Sequence, residues 1–494
     1  MAKKVVIIGA GLGGLSAGCF AQMNGFDTEI YEMHDKPGGL CTAWTRRGYT
    51  VDYAIHDLTG PNPNSSVHFL WEELGALRDL PMEYNSEFWR VETPSGEQLP
   101  LYCDLEKFGA KLKDIAPEDS ELIDAYLRDA RKFGRIEFMA VVTGKIRDFL
   151  PMVRVLGAMK KWGQVSMAEF AARFENPVLR EAFPYLHYGW PHVPVMIHMA
   201  FLGMCHQNLF GYPLGGSLAF SENIARRFES LGGTIHYKQP VEKILVKNDQ
   251  AAGIRLADGR EVTADIVISN ADGYATIYAM LDGVYVSDRV TAYYQEILDE
   301  QEMNTTISLG VARTFPDGWR AISYVLEEPR MIAGQPRKNL DVEIHGEESG
   351  FAPAGKSVLK ILMKSRYSYW TALREDREAY LQSKEKDIET VIDILESKYP
   401  GIRDQVEMRD MATPITVERY TNNIRGNQAW SPPDFSLMKM MQGLSRKLPG
   451  LANFYMTGQW ALGGLGIPNV AMDGRNVIRE ICKAEGQRFR TTRA

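Results

Sequence analysis

Four apolar residues, Val5-Val6-Ile7-Ile8, stand near the head of the chain and run directly into Gly9-Ala10-Gly11-Leu12-Gly13-Gly14. A short unbroken apolar run closed by glycines predicts a buried strand, and the apolar-rich stretch 15–24 predicts a helix that Gly25 stops. Thr28-Glu29-Ile30-Tyr31 predicts a second strand, ending at Glu32. Strand, helix and strand in this order form a βαβ unit, the usual opening of a doubly wound sheet.

The pattern then changes. From 72 to 207 helical spacing dominates and strand signals are few. Alternation of helix and strand returns at Gly215, with a helix over 218–231 and strands at 234–237, 241–246 and 251–256. Asp258-Gly259 supplies a hairpin turn, and 265–269 predicts a fully buried strand. Residues 291–440 mix strands at 305–312 and 357–363 with a long charged helix over 374–398, and glycines opening a helix over 463–481 close the chain. The predicted fold is α/β. A Rossmann-like nucleotide-binding domain is assembled from 1–75, 210–290 and 441–494, and an inserted α+β substrate domain, mixed sheet plus helices, comes from 76–209 and 291–440.

Composition narrows the function. The 494 residues are 45% hydrophobic and 24% charged, the balance of a folded chain. A net charge of −7 argues against a general nucleic-acid binder. Five scattered cysteines form no CxxC pair, which excludes a zinc ribbon or thioredoxin-type centre and fits a reducing compartment. No export signal is expected ahead of the first strand, and the apolar run 193–205 is too short to span a bilayer and contains His198. A cytoplasmic location is expected.

Gly9-x-Gly11-x-x-Gly14 carries the first chemistry. Glycines let the backbone turn tightly and approach a pyrophosphate, while the following helix N-terminus offers unpaired N–H groups. Glu32, at the end of the second strand, stands where a carboxylate accepts hydrogen bonds from a ribose diol. Gly38-Gly39 and Gly48-Tyr49-Thr50-Val51-Asp52 add a loop and strand beyond that acid, of the kind a flavin needs around its ribityl chain, although an ordinary surface loop also fits. Far downstream, Gly458-Gln459-Trp460 and Gly463-Gly464-Leu465-Gly466-Ile467-Pro468 open a helix, a second backbone approach to the same extended cofactor.

With these motifs in their order, the chain resembles the phytoene desaturase family, which includes carotenoid isomerases and retinol saturases, within the amine-oxidase-like flavoproteins. Further matching motifs are Ser166-x-x-Glu169-Phe170, Pro177-x-Leu179-Arg180-x-x-Phe183, Gly215-Gly216-Ser217, Thr413-Pro414 and Glu418-Arg419-Tyr420. The resemblance implies FAD as cofactor. It places Gly9, Gly11, Gly14 and Glu32 on the ADP half, Gly38, Gly39, Gly458, Gly466, Ile467 and Val470 toward the flavin half, and Val241 on the adenine-side strand. Leu40-Cys41, Ala54 and Gln459 depart from the family, which commonly has an arginine, a glycine and an acid there. Cys41 has no partner thiol five residues on, where Arg46 stands, so a redox disulfide is not expected.

The implied activity is desaturation or saturation of a long apolar, carotenoid- or isoprenoid-like substrate, with oxygen, a quinone or NAD(P)H as electron partner. Cis/trans isomerisation of a polyene and amine-oxidase-like chemistry on a polar substrate are the alternatives. His56, Asp57 and His206 are candidate proton-transfer residues, although His56-Asp57 reads equally as a turn. His187, Tyr188, Trp190, His192, His198 and His206 lack acids at ligand spacing, so no metal site is expected. Residues 131–162 hold eight basic side chains against two acids, and Met152, Val155, Leu156, Met159 and Trp162 share a helical face. This face suits either peripheral contact with an anionic leaflet or packing on its own domain.

Overall fold

The structure, a computed structural model, describes residues 2–136, 150–296, 302–315, 320–427, 445–461 and 466–494. Its first sheet has five parallel strands in the order Thr234–His236, Asp27–Tyr31, Lys4–Ile8, Ile266–Ser269 and Phe454–Met456. The opening strand lies at the centre, and Val5, Val6 and Ile7 are fully buried, as a parallel strand covered on both faces requires. On one side, Val5 and Ile7 pack with residues of the helices Leu12–Met23, Gly216–Ser230 and Ile467–Ala484. On the other, Val6 and Ile8 meet Ile254 and Leu256 of a three-stranded antiparallel sheet built from Val241–Lys247, Gln250–Leu256 and Glu261–Thr263.

This is a Rossmann-like fold gathered from distant parts of the chain. Its opening and closing helices touch through small residues, since a Cβ on Gly474 would collide with Gly13 O and lie 2.8 Å from Ala17 N. Buried Asp473 ties the last strand to the closing helix, accepting from Gly458 N at 2.7 Å and from the Thr457 hydroxyl at 3.0 Å. Asp52 does similar work elsewhere. Its carboxylate accepts from Ser217 N at 2.8 Å and the Tyr212 hydroxyl at 3.0 Å, joining the Gly48–Asp52 and Gly215–Ser217 motifs.

A second, seven-stranded sheet runs Val406–Ala412, Glu302–Val311, Ser357–Arg366, Gln335–His345, Ala321–Ile332, Glu87–Glu92 and Gln98–Tyr102. All its pairings are antiparallel except that of Ala321–Ile332 with Glu87–Glu92. The helix Arg377–Lys398, capped by the Asp376 side chain, lays Ile388, Val391, Ile392 and Leu395 against one face. Five of these strands were not expected from the sequence. Glu87–Glu92 and Gln98–Tyr102 fall in the stretch expected to be helical. Ala321–Ile332 is largely apolar only up to Leu326 and turns charged at Glu327. Gln335–His345 alternates apolar with charged residues from Leu340 on, and Val406–Ala412 mixes both kinds.

The basic block also departs from expectation. Val155, Ala158 and Trp162 point into the helical core, and Trp162 Nε1 donates to Asp129 at 2.9 Å. Leu156 and Val153 face outward, 55% and 66% exposed, so the five residues do not form one exposed apolar face. Glu137, Lys145, Arg147 and Asp148 lie outside the described residues, and so do Gly463, Gly464 and Leu465. Among the described residues no helix is long and apolar enough to cross a membrane.

Candidate functional site

At the C-terminal end of the opening strand the chain turns through Gly9, whose φ of +92° favours glycine. The helix Leu12–Met23 starts there with Gly11 as N-cap and no side-chain cap, so its first N–H groups remain available to a ligand. Gly14 stands behind this turn, where a Cβ would collide with Gly9 O, and its role is to let the helix close on the loop. Gly38 pairs alongside Gly11, its N–H donating to Ala10 O at 2.9 Å, so the second glycine pair is brought against the first.

These elements border a cavity of about 1330 Å³. That exceeds the roughly 300–1,000 Å³ usual for one small ligand, leaving room for an extended cofactor beside a substrate. Of the residues expected from sequence, Gly9, Gly11, Glu32, Gly38, Gly39, Val241, Gly466, Ile467 and Val470 line it together. Gly14 and Gly458 sit just behind: a Cβ on Gly13 would lie 3.0 Å from the Gly458 Cα. Among the candidate proton-transfer residues, His56 lines the cavity. Asp57 is turned inward instead, held by the Tyr188 hydroxyl at 2.6 Å and Arg320 at 3.1 Å, and burial pushes its pKa up to about 6. His206 lies elsewhere, its Nδ1 accepting from Leu105 N at 3.3 Å at the start of the helix Leu105–Ile115. His187 and His198 are buried among aromatic rings, and burial pushes His187 down to about 4, which keeps it neutral.

Glu32 closes the second strand with its carboxylate almost covered. It accepts from Ala10 N at 2.7 Å and His34 N at 2.8 Å, and burial raises its pKa against those two donors. Two lining residues were not singled out from sequence. Asn270 follows the strand Ile266–Ser269, and its side chain fills the space where Cβ atoms on Gly11, Gly13 and Gly458 would sit. Asp272 accepts from Ala275 N at 2.8 Å and Ile424 N at 3.3 Å, and burial pushes it up to about 7. The signal for both was the polar Asn270-Ala271-Asp272 step directly after an apolar strand, where open α/β sheets place their ligands.

The remaining walls come from the hairpin of Ala43–Arg46 and Tyr49–Asp52 with its flanking loops, and from the second sheet and its helices. Trp44, Tyr53, Met411, Ala412 and Val417 supply apolar surface, while Lys36, Arg46, Arg374, Arg377, Lys384 and Arg419 outnumber the acids Glu32, Asp35, Asp272 and Asp410. The site therefore combines apolar surface with a small excess of positive charge.

Comparison with known proteins follows the same lines. Residues 7–74 match the family described as NAD(P)-binding Rossmann-like domain. The lycopene-forming phytoene desaturase of Pseudescherichia vulneris is 26% identical, covering 96% of this chain and 98% of that protein. The chloroplastic prolycopene isomerase of Arabidopsis thaliana is 23% identical over 95% of this chain and 81% of its own length, and the all-trans-retinol 13,14-reductase of Danio rerio is 22% identical over 92% and 82%. The chain resembles the phytoene desaturase, carotenoid isomerase and retinol saturase family from end to end. Among solved structures, an oxidoreductase from Methanosarcina mazei superposes with a TM-score of 0.59 at 19% identity, covering 96% of this chain and all of its own. A triple mutant of putrescine oxidase gives the same TM-score at 15% identity, covering 98% and 99%. Both share the fold. The departures from the phytoene desaturase family's pattern all fall on the cavity wall: Leu40, Cys41, Ala54 and Gln459 line it. Burial pushes the Cys41 thiol up to about 12, and it donates to Ser217 O, so it is a packed thiol rather than a nucleophile.

Proposed function

We propose that this chain is an FAD-dependent oxidoreductase that alters carbon–carbon double bonds of a long apolar, carotenoid- or isoprenoid-like substrate. The observation that carries the reading is the meeting of three separated segments, 9–14, 38–41 and 466–470, on one cavity with Glu32 at its rim. Residues 1–75, 210–290 and 441–494 act as the cofactor domain, and 76–209 with 291–440 act as the substrate domain.

In this reading Gly9, Gly11 and the uncapped helix N-terminus receive the pyrophosphate, and Glu32 accepts from the ribose hydroxyls. Val241 borders the adenine side. Gly38, Gly39, Gly466, Ile467 and Val470 flank the flavin half, with Gly14 and Gly458 supporting them from behind. Bound FAD supplies hydride chemistry, for which no side chain is competent. The chain's own residues orient the hydrocarbon and keep water out: Trp44, Tyr53, Met411 and Val417 form an apolar wall that aligns a C–C bond. Exposed Val153 and Leu156, beside exposed Arg154 and Lys160, are the residues that would touch an anionic membrane surface.

The electron partner is oxygen or a quinone for desaturation and NAD(P)H for saturation. An isomerase, needing reduced flavin without net turnover of electrons, is the second reading, favoured by the similarity to a prolycopene isomerase. Anaerobic mixing of FAD-loaded protein with phytoene, lycopene or NADH distinguishes these. Loss of the flavin bands on adding phytoene supports desaturation. Loss with NADH and recovery on adding a polyene supports saturation, and cis/trans conversion without change in flavin state supports isomerisation. A protein that takes up no FAD contradicts all three.

A further inference from the structure

The seven-stranded sheet carries charge where burial alone would favour hydrocarbon. On Gln335–His345, Leu340, Val342 and Ile344 face the helix Arg377–Lys398, so Asp341, Glu343 and His345 take the opposite face. Glu343 is the direct cross-strand partner of Lys360, and each is 1% exposed. Their charges lie 3.1 Å apart. A buried ion pair of this kind contributes little to stability relative to well-packed apolar residues, so its presence calls for another explanation.

That explanation lies at His56. Its side chain remains 26% exposed and lines the cavity, while its Nδ1 stands 2.7 Å from Glu343 Oε1. Burial works against the Glu343 carboxylate, but the positive charge His56 carries when protonated, the charge of Lys360 and the hydrogen bonds from His345 and His56 more than offset it and hold its pKa well below the usual range. A carboxylate only accepts, so at 2.7 Å the proton must sit on Nδ1. Lys360 Nζ, 3.4 Å from the same nitrogen, is then directed to Glu343 and not to the ring. In the neutral imidazole Nε2 keeps a lone pair. Other charged or titratable groups around the ring are Arg320, which donates to His56 O, Asp57 beside Arg320, His345 at 3.5 Å from Glu343, and the Tyr188 ring at 6.0 Å.

We propose that His56 is the proton-transfer residue of this cavity, with Glu343 and Lys360 as positioning residues that fix its tautomer and present Nε2 to the substrate. The proposal rests on the double-bond chemistry argued above. In desaturation, bound FAD would supply the acceptor for the hydride lost from one substrate carbon. The C–H bond on the neighbouring carbon breaks heterolytically, its pair becomes the second bond of the alkene, and its proton goes to Nε2. The imidazolium is stabilised by Glu343 and returns its proton to water. Saturation runs the same transfers backwards.

The test uses FAD-loaded protein with phytoene in phosphatidylcholine vesicles, together with histidine ¹⁵N spectra of the same samples. His56→Gln keeps a donor toward Glu343. It is expected to lower the rate by about 10²–10⁴-fold and abolish the acid limb of the pH profile, while leaving flavin content unchanged. The paired change Glu343→Leu with Lys360→Met removes both charges together. It is expected to move the His56 proton from Nδ1 toward Nε2. A wild-type rate and profile for His56→Gln, or a wild-type spectrum at pH 8 with the proton on Nε2, overturns the proposal. Protein that binds FAD but converts no polyene contradicts the substrate reading, and the ¹⁵N spectrum then still decides for or against the fixed ring.

Discussion

A buried carboxylate expected to receive a ligand's hydroxyls must be kept anionic by other donors, and Glu32 has two of them in Ala10 N and His34 N. Glu32→Gln removes charge-assisted acceptance and sets an amide NH₂ against one of these two N–H donors. FAD affinity is expected to fall about tenfold to a hundredfold, in line with roughly 1.5–3 kcal/mol for hydrogen bonds to charged groups, as read by fluorescence titration. Because burial raises the Glu32 pKa, cofactor retention should weaken on acidification at a pH above the ordinary glutamate range. Asp272 supplies a second pH effect. Its pKa is pushed up to about 7 from 3.8, so the folded chain binds this proton more tightly than the unfolded one, and the stability it contributes falls as pH rises from 4 to 7. Asp272→Asn removes that dependence. Urea denaturation of the cofactor-free protein should show the variant gaining on the wild type across the window, by up to about 4 kcal/mol. A constant difference between the two contradicts the assignment. The role of Asp272 was not legible beforehand, because nothing in the letters shows that Ile424, far along the chain, closes over it.

Elements were legible where their period was clean. The opening βαβ unit and the strand Ile266–Ser269 follow directly from apolar runs and glycines. Gln335–His345 was missed because half of its buried face is Asp341, Glu343 and His345, so alternation in the letters no longer separates inside from outside. The basic block shows the reverse problem. Helical spacing put five apolar residues on one face, but packing divides them, with Trp162 buried and Leu156 exposed. Trp162→Ala should therefore cost about 3–5 kcal/mol in thermal or chemical denaturation, while Leu156→Ser should change stability by no more than about 0.5 kcal/mol. Equal effects would contradict this orientation, and reversed effects would mean that the helix is turned the other way. Helix contact at the cofactor domain gives a matching pair. Gly474→Ala pushes a methyl group into Gly13 O and should destabilise by about 1–3 kcal/mol and loosen FAD. Gly157→Ala, in a helix with open space at that position, should be neutral or stabilise by up to about 1 kcal/mol.

At the scale of the whole molecule, residues near both ends of the chain share one sheet: Lys4–Ile8 and Phe454–Met456 each pair with Ile266–Ser269. The order of motifs announced that distant segments belong together, since three glycine-rich stretches each suit an extended phosphate-bearing ligand. What the letters lacked was the register that sets Gly38 beside Gly11, and the charged face of the second sheet that brings Glu343 to His56. Both depend on strand pairings between residues tens to hundreds of positions apart. The central claim is that 9–14, 38–41 and 466–470 grip one cofactor. Hydrogen–deuterium exchange of the chain with and without FAD tests it most directly. All three segments should gain protection together, saturating at one FAD per chain; protection confined to 9–14, or absent throughout, would contradict the account.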